Sequence, residues 1–176
     1  MIKSVGPAAI DQLERAISAG RSGIGKGWII AIVDITDRNR TRGSHGRITF
    51  IALCDGKTAV ALEPSQDHKR IFDNDEGPNT GGMGAYSDSR LLTPEQRSSI
   101  LETVILPVVR AKHFTGFLYA GLMMTAQGPS VLEFNVRMGD PETQPLMMRL
   151  DCDWAEALMA SAKKNIIGAN LTENEY

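Results

Sequence analysis

Two stretches of this chain read as strands folded back on a turn, and they constrain its fold more than anything else in it. "RITFIALCDGKTAVAL" has β-rich runs on either side of Asp55-Gly56. An Asp-Gly pair suits a type I′ turn, whose two central residues both need positive φ. "GFLYAGLMMTAQGPSVLEFNVRM" repeats the pattern and is expected to turn at Ala126-Gln127-Gly128. Within its second arm, Leu132, Phe134, Val136 and Met138 alternate with Glu133, Asn135 and Arg137. Side chains two residues apart share one face of a strand, with about 7 Å between neighbours. An acid, an amide and a guanidinium should therefore project together, just before Gly139-Asp140-Pro141 breaks the strand.

Helices are expected around these hairpins. Ile10, Leu13 and Ile17 recur at helical spacing across residues 7–18. In "TPEQRSSILETVILPVVRA", Thr93 is the expected N-cap, Pro94 the first helical residue and Gln96 the partner of a capping box. Ile100, Val104 and Val108, flanked by Leu101 and Ile105, should form its buried stripe, and Pro107 should kink or end it. "DWAEALMASAKK" starts from Asp153 with Glu156 at the third helical position. "GWIIAIVD" reads as a buried strand, "DITDRNRTRGSHGR" as a loop or linker, and the tail "NLTENEY" as frayed. "EPSQDHKRIFDNDEGPNTGGMGAYSDS" lacks periodicity and is expected to be a long loop, either functional or disordered.

The 176 residues suffice for one domain with a core, or for two small lobes. Hydrophobic residues make up 42%, charged residues 23%, and the net charge is -2. That balance argues against a nucleic-acid partner, which needs a basic surface. No apolar run approaches the roughly 20 residues of a membrane span, and the N-terminus lacks the apolar core of a signal peptide. Cys54 and Cys152 form no metal-binding spacing and read as reduced thiols of a cytoplasmic protein.

Three groups could carry chemistry. Glu133 and Asn135 offer hard oxygen ligands of the kind that hold Mg²⁺ beside phosphates, and Arg137 could pair with a phosphate or carboxylate. The alternative is a polar, solvated strand face. Asp140 and Glu142 add acids near the same end. In the long segment, Lys69 and Arg70 of "DHKR", with Gly77, Gly81, Gly82 and Gly84, could form an anion site, or simply a flexible loop. "GRSGIGKG" looks like a P-loop, but Gly27 replaces the Ser or Thr that would meet Mg²⁺, and a helix rather than a strand precedes it. Lys26 could still meet a phosphate or lie in solvent.

"SQDHKR", "GPNTGGMGAYS", "TGFLYAGLM" and "EFNVRMGDPETQP" occur in an order and at spacings that closely resemble the phosphoribosylamine–glycine ligases, or glycinamide ribonucleotide synthetases, of the ATP-grasp superfamily. The resemblance runs from about Ile48 to Lys163. It implies an α+β ATP-grasp catalytic lobe over 48–170, an antiparallel sheet built by the two hairpins with helices packed on one face, and a short tail, 171–176. It implies that ATP, glycine and 5-phosphoribosylamine are substrates, with glycinamide ribonucleotide the product of purine synthesis. Glu133 and Asn135 would bind Mg²⁺ or Mn²⁺, and Arg137 and Asp140 would line the reacting site. Lys69, Arg70, Gly81, Gly82 and Gly84 would form the substrate and phosphate loop, and Lys26 would contact ATP phosphates. Residues 1–47 resemble a degenerate part of the ATP-binding subdomain. Arg47 stands where the family carries an acid, and Asp88 where it usually has proline. The family's chain is longer, so this one is expected to be a truncated or split ligase, with a separate chain as a source of the remaining domains. A non-catalytic ATP-grasp remnant or interaction module is the alternative.

Overall fold

The computed structural model describes residues 29–30, 46–168 and 171–173. The strands, in chain order, are β1 (Ile29–Ile30), β2 (Arg47–Asp55), β3 (Ala59–Ala61), β4 (Ser65–Asp67), β5 (Arg70–Phe72), β6 (Glu76–Asn79), β7 (Ala85–Ser87), β8 (Thr115–Thr125), β9 (Gly128–Asn135), β10 (Leu150–Asp151) and β11 (Thr172–Glu173). The α-helices are α1 (Pro94–Ile100), α2 (Leu106–Lys112), α3 (Thr143–Arg149) and α4 (Trp154–Ala162).

Among the described residues the main sheet is antiparallel and ordered β1-β9-β8-β2-β4-β7, with β3 also paired to β2. β2 sits in the middle, bordered by β8 along its length and by β3 and β4 on its other edge. Both hairpins form. The first turns one residue later than Asp55-Gly56 suggested. Asp55 still belongs to β2, and its N–H bonds to Thr58 O across a two-residue loop, Gly56-Lys57. Gly56 alone takes positive φ, +91°. Asp55 instead caps the turn, its Oδ1 accepting from the N–H groups of Lys57 and Thr58 at 3.0 and 2.8 Å. The second hairpin turns at Ala126-Gln127, with Gly128 already paired to Thr125.

Helices lie on both faces of the sheet, not on one. Ile48, Phe50, Ala52 and Cys54 of β2, with Leu118, Ala120, Leu122 and Phe134, pack against Ile100, Val104, Ile105, Val108 and Val109. On the opposite face Ile51 and Tyr119 meet Leu62, Leu146 and Leu150, and Leu53 meets Ala157 and Ile166. β2 is thus buried on both sides, which is why its sequence runs apolar with little alternation. Each fully buried Phe or Leu contributes about 1.5–3 kcal/mol.

The Thr93 cap forms as expected, its hydroxyl accepting from Gln96 N–H at 3.3 Å while Gln96 Oε1 accepts from Thr93 N–H at 2.9 Å. Pro107 neither ends the helix nor breaks it. Residues Leu101–Ile105 form a π-type turn in which Leu106 N–H reaches back to Leu101 O. That wider turn absorbs the proline, which has no N–H to give and whose ring crowds the preceding turn. α2 then ends at His113 in the left-handed region, φ +48°. Asp153 caps α4 through Glu156 N–H at 3.0 Å.

Four expectations change. The segment 63–89 is not a long loop: β4 and β7 pair with each other and join the main sheet, and β5 and β6 form a separate small hairpin. Asp88 fits this arrangement, accepting from Arg90 N–H at 2.8 Å and pairing with the Arg90 guanidinium, which brings its carboxyl down to about 2. A helix, α3, follows the Gly-Asp-Pro turn where only a break was expected. β9 carries a bulge at Leu132, so Val131 and Phe134 face the first core and Leu132 is the extra residue. The tail supplies β11, paired with β10, where fraying was expected. Of the apolar run near the N-terminus, Ile29–Ile30 pair with Asn135 and Phe134 as β1. The helix expected over 7–18, the loop carrying Lys26, and the linker before Gly46 lie outside the described residues. No helix among the described residues is long and apolar enough to cross a membrane.

Candidate functional site

The second face of the sheet changes character along its length. At one end it is apolar and covered by α3 and α4. At the other, a cleft of about 310 Å³ opens, lined by Arg47, Lys69, Thr80, Gly81, Tyr119, Glu133, Asn135, Arg137, Asp140 and Glu142. Strand register puts these residues together. Glu133 lies opposite Gly121, and Asn135 opposite Tyr119, across β8 and β9. Gly121 leaves room for the acid: a Cβ there would stand 2.9 Å from Glu133 Cγ.

Asn135 is buried, and its Oδ1 has no hydrogen-bond partner among the described residues. Leaving a buried amide oxygen unpaired costs about 1–3 kcal/mol, so such an atom calls for a ligand. The Glu133 carboxylate two residues away shares the cleft. Among the described residues, no three His, Cys, Asp or Glu side chains gather at metal distance. A cation held here would take one carboxylate and one amide oxygen from the protein and fill its remaining positions from ligand and water. The donor set fits a hard divalent ion of the Mg²⁺ or Mn²⁺ type.

Lys69 is held in the cleft by an ion pair with the buried carboxylate of Asp67. Both Asp67 carboxylate oxygens are buried, and the Lys69 ammonium balances their charge. The loop behind Lys69 is stitched by backbone bonds: Thr80 N–H to Lys69 O at 2.6 Å, Met83 N–H to His68 O at 2.7 Å and His68 N–H to Gly84 O at 2.9 Å. Gly82 takes φ +138°, and a Cβ on it would lie 2.8 Å from Pro141 Cδ. The glycine-rich loop is therefore seated on the Gly-Asp-Pro turn. Arg137 donates one Nη1 bond to Met138 O at 2.8 Å, which fixes the guanidinium at the end of β9.

On the cleft floor, Glu142 Oε1 accepts from Thr49 Oγ1 at 3.0 Å and from the Tyr119 hydroxyl at 2.8 Å. Burial, reinforced by the charges of Glu142 and Glu133, pushes the Tyr119 phenol above its ordinary range, although the Thr49 hydrogen bond acts in the other direction. It stays protonated and acts as a donor.

The structure brings Glu133, Asn135, Arg137, Asp140, Lys69 and Gly81 into one cleft. Gly82 supports it from behind. Arg70 and Gly84 do not line it: Arg70 donates to Gly77 O inside the β5–β6 hairpin and borders a second cavity with His68, Phe72 and Met83. Lys26 lies outside the described residues. Arg47, Thr80 and Tyr119 were missing from the expected set, and Glu142 figured only as a nearby acid. Tyr119 carries a signal in retrospect, since it shares its strand face with Gly121, but only the β8–β9 register tells which face meets Glu133.

The phosphoribosylglycinamide synthetase, ATP-grasp (A) domain family matches residues 40–143. A phosphoribosylamine–glycine ligase of Ralstonia nicotianae is 50% identical over 129 residues, covering 70% of this chain and 31% of the relative. The chloroplastic enzyme of that name from Arabidopsis thaliana is 48% identical over 130 residues, 70% of this chain and 24% of its own. The crystal structure of the phosphoribosylamine–glycine ligase of Thermotoga maritima superposes with a TM-score of 0.55 at 28% identity, over 69% of this chain and 32% of that one. The biotin carboxylase subunit of pyruvate carboxylase shares the fold, at 14% identity and a TM-score of 0.51. The chain spans about a third or less of the length of these relatives.

Proposed function

The chain belongs to the phosphoribosylglycinamide synthetase ATP-grasp (A) domain family, and on that premise we propose that its cleft is the metal and phosphate end of a site that joins glycine to 5-phosphoribosylamine with ATP. In that reaction the glycine carboxylate takes the γ-phosphoryl group of ATP, and the amine of phosphoribosylamine then displaces phosphate to form glycinamide ribonucleotide.

The observation that carries this reading is Asn135 Oδ1, buried and without a partner among the described residues, beside the Glu133 carboxylate. Glu133 and Asn135 would hold Mg²⁺ or Mn²⁺, which when bound offsets the charge of the reacting phosphates. Lys69, kept in place by Asp67, and Arg137, kept in place by Met138 O, bring positive charge to the phosphate and carboxylate oxygens. Arg47 adds a third cation at the start of β2. Asp140 stands at the exposed rim of the cleft, where it meets the incoming amine. Gly81 leaves its surroundings open, with nothing within 4 Å of where a Cβ would be, so a phosphate can approach the loop backbone. Residues 48–170 act as the catalytic lobe, and Lys26 supplies a further ATP contact. The setting is cytoplasmic purine synthesis.

The test is titration of the full chain with Mn²⁺ by electron paramagnetic resonance and with Mg-ATP by calorimetry, beside Glu133→Gln and Asn135→Ala. Binding that weakens at least tenfold in both variants supports the reading. Equal Mn²⁺ affinity in all three proteins removes the metal site. Phosphate release dependent on both glycine and phosphoribosylamine would establish the ligase, and release independent of either would overturn it.

A further inference from the structure

Glu133 and Asn135 leave a divalent ion short of protein ligands, and across the sheet from them stands an arginine. A hard divalent ion takes about six oxygens, and this pair gives it one carboxylate and one amide oxygen. The other acids of the cleft are engaged elsewhere. Glu142 Oε1 takes the Thr49 and Tyr119 hydroxyls, and Asp140 Oδ1 accepts from Gln144 Nε2 at 3.4 Å.

Strand register places Arg47. Thr49, Gly121 and Glu133 form one row across β2, β8 and β9. Thr49 turns to the cleft, where it meets Glu142, and side chains two residues apart on a strand share a face. Arg47 therefore lies on the cleft side, one step further along β2, and it lines the cleft. β2 and β9 are two strand spacings apart, roughly 10 Å. The strand between them has no side chain at Gly121, so Arg47 and Glu133 look onto the same gap.

The three cations of the cleft are not equally committed. Lys69 pairs with Asp67, and Arg137 donates to Met138 O. Among the described residues, the partly buried Arg47 guanidinium has neither a hydrogen bond nor an ion pair. Such a group repels a bare divalent ion nearby. It favours an ion that arrives with phosphate, because phosphate oxygens meet the guanidinium fork and fill metal positions at the same time.

We propose that Arg47 makes the metal site of this cleft dependent on phosphate, a proposal that rests on Glu133 and Asn135 being the metal pair. The divalent ion binds weakly alone. It binds firmly as a phosphate complex, with Arg47 on the phosphate oxygens and Glu133 and Asn135 on the ion. The coupling is reciprocal, so the ion raises phosphate affinity by the same factor.

The experiment is Mn²⁺ titration of the full chain by electron paramagnetic resonance, with and without saturating inorganic phosphate, beside Arg47→Ala and Arg47→Glu. Free Mn²⁺ is corrected for its weak complex with phosphate. Phosphate is expected to tighten Mn²⁺ binding to the wild type about tenfold, the scale of one charge-assisted contact. Arg47→Ala should lose most of that gain. Arg47→Glu puts an oxygen ligand where the cation stood, so it should bind Mn²⁺ more tightly than the wild type without phosphate and gain little from adding it. A wild-type affinity that phosphate leaves unchanged, or an Arg47→Ala protein that responds as fully as the wild type, would overturn the proposal. Should either variant fail to fold, Arg47→Lys decides in its place. It keeps the charge and loses the fork, so a smaller gain is expected, and a gain equal to that of the wild type would remove the role of the guanidinium. Absence of Mn²⁺ binding with or without phosphate removes the metal pair and this dependence with it, whereas Mn²⁺ binding indifferent to phosphate removes the dependence alone.

Discussion

Gly121 faces Glu133 across the β8–β9 pair, and a Cβ on Gly121 would lie 2.9 Å from Glu133 Cγ and 3.3 Å from its Oε1. The glycine is there to leave space for the acid, since its own backbone is ordinary strand. Gly121→Ala is therefore expected to displace the Glu133 carboxylate, at a packing cost of about 1–3 kcal/mol. Mn²⁺ affinity should fall about tenfold, by the scale on which misplaced supporting contacts weaken metal sites. Unchanged affinity in a folded Gly121→Ala protein would mean that Glu133 does not hold the cation.

Gly82 joins the glycine-rich loop to the Gly-Asp-Pro turn. Gly82→Ala meets both a positive φ and Pro141 Cδ at 2.8 Å, so the loop should lift away from the turn and carry Lys69 and Thr80 with it. We expect Mg-ATP affinity to drop, with thermal stability falling by a few degrees. Gly84→Ala provides the contrast: it shares the positive φ, +145°, but has nothing within 4 Å. Calorimetry on the two variants separates backbone strain from the lost contact.

Asp55 ties the first turn to the segment just after α4. Its Oδ1 takes the Lys57 and Thr58 N–H groups, and its Oδ2 takes Ile166 N–H at 3.2 Å. Burial pushes its carboxyl up, but these backbone donors and the Thr58 hydroxyl outweigh burial and leave it below its ordinary 3.8. Because the folded state holds this proton less tightly than the unfolded chain, Asp55 stabilises the fold above about pH 4 and loses that contribution as the pH falls further. Asp55→Asn turns an amide N–H₂ or an amide oxygen toward groups that need two acceptors, at about 1–3 kcal/mol near neutral pH. Urea denaturation from pH 3 to 7 should give a shallower acid loss for the variant than for the wild type. Parallel curves would show that Asp55 does not carry the effect.

Thr93→Ala removes one half of the capping box at the start of α1. A loss of about 1 kcal/mol is expected in urea denaturation, whereas Phe134→Ala, in the first core, should cost about 3–5 kcal/mol. Neither touches the cleft, so Mn²⁺ affinity of the folded Thr93→Ala protein should match the wild type.

Local rules made several elements legible. Thr93, Pro94 and Gln96 announce a helix start because their side chains act within one turn. Alternation in "EFN" groups Glu133 and Asn135 because strand side chains repeat every two residues, and this survives the bulge, which lies upstream at Leu132; Arg137, two residues past the end of β9, reaches the same cleft from the bend that follows. The 63–89 segment was opaque for the opposite reason. Its strands are three or four residues long, and their partners are other parts of the same segment or β2. No periodicity can build up in so short a run.

The sequence by itself determined the motifs, the two hairpins, the helix caps and the family, since each depends on residues close together along the chain or on their recurring order. Tertiary structure alone decided which side of the sheet those motifs face and who meets them there. Pairing of Tyr119 with Asn135 and of Gly121 with Glu133 brings a phenol and a metal-type acid together, and the fold of the Gly-Asp-Pro turn delivers Glu142 beneath them from 93 residues beyond Thr49. Contacts at that separation follow from register and packing, which a one-dimensional pattern does not encode, and shifting a strand by one residue would turn every one of these side chains to the other face.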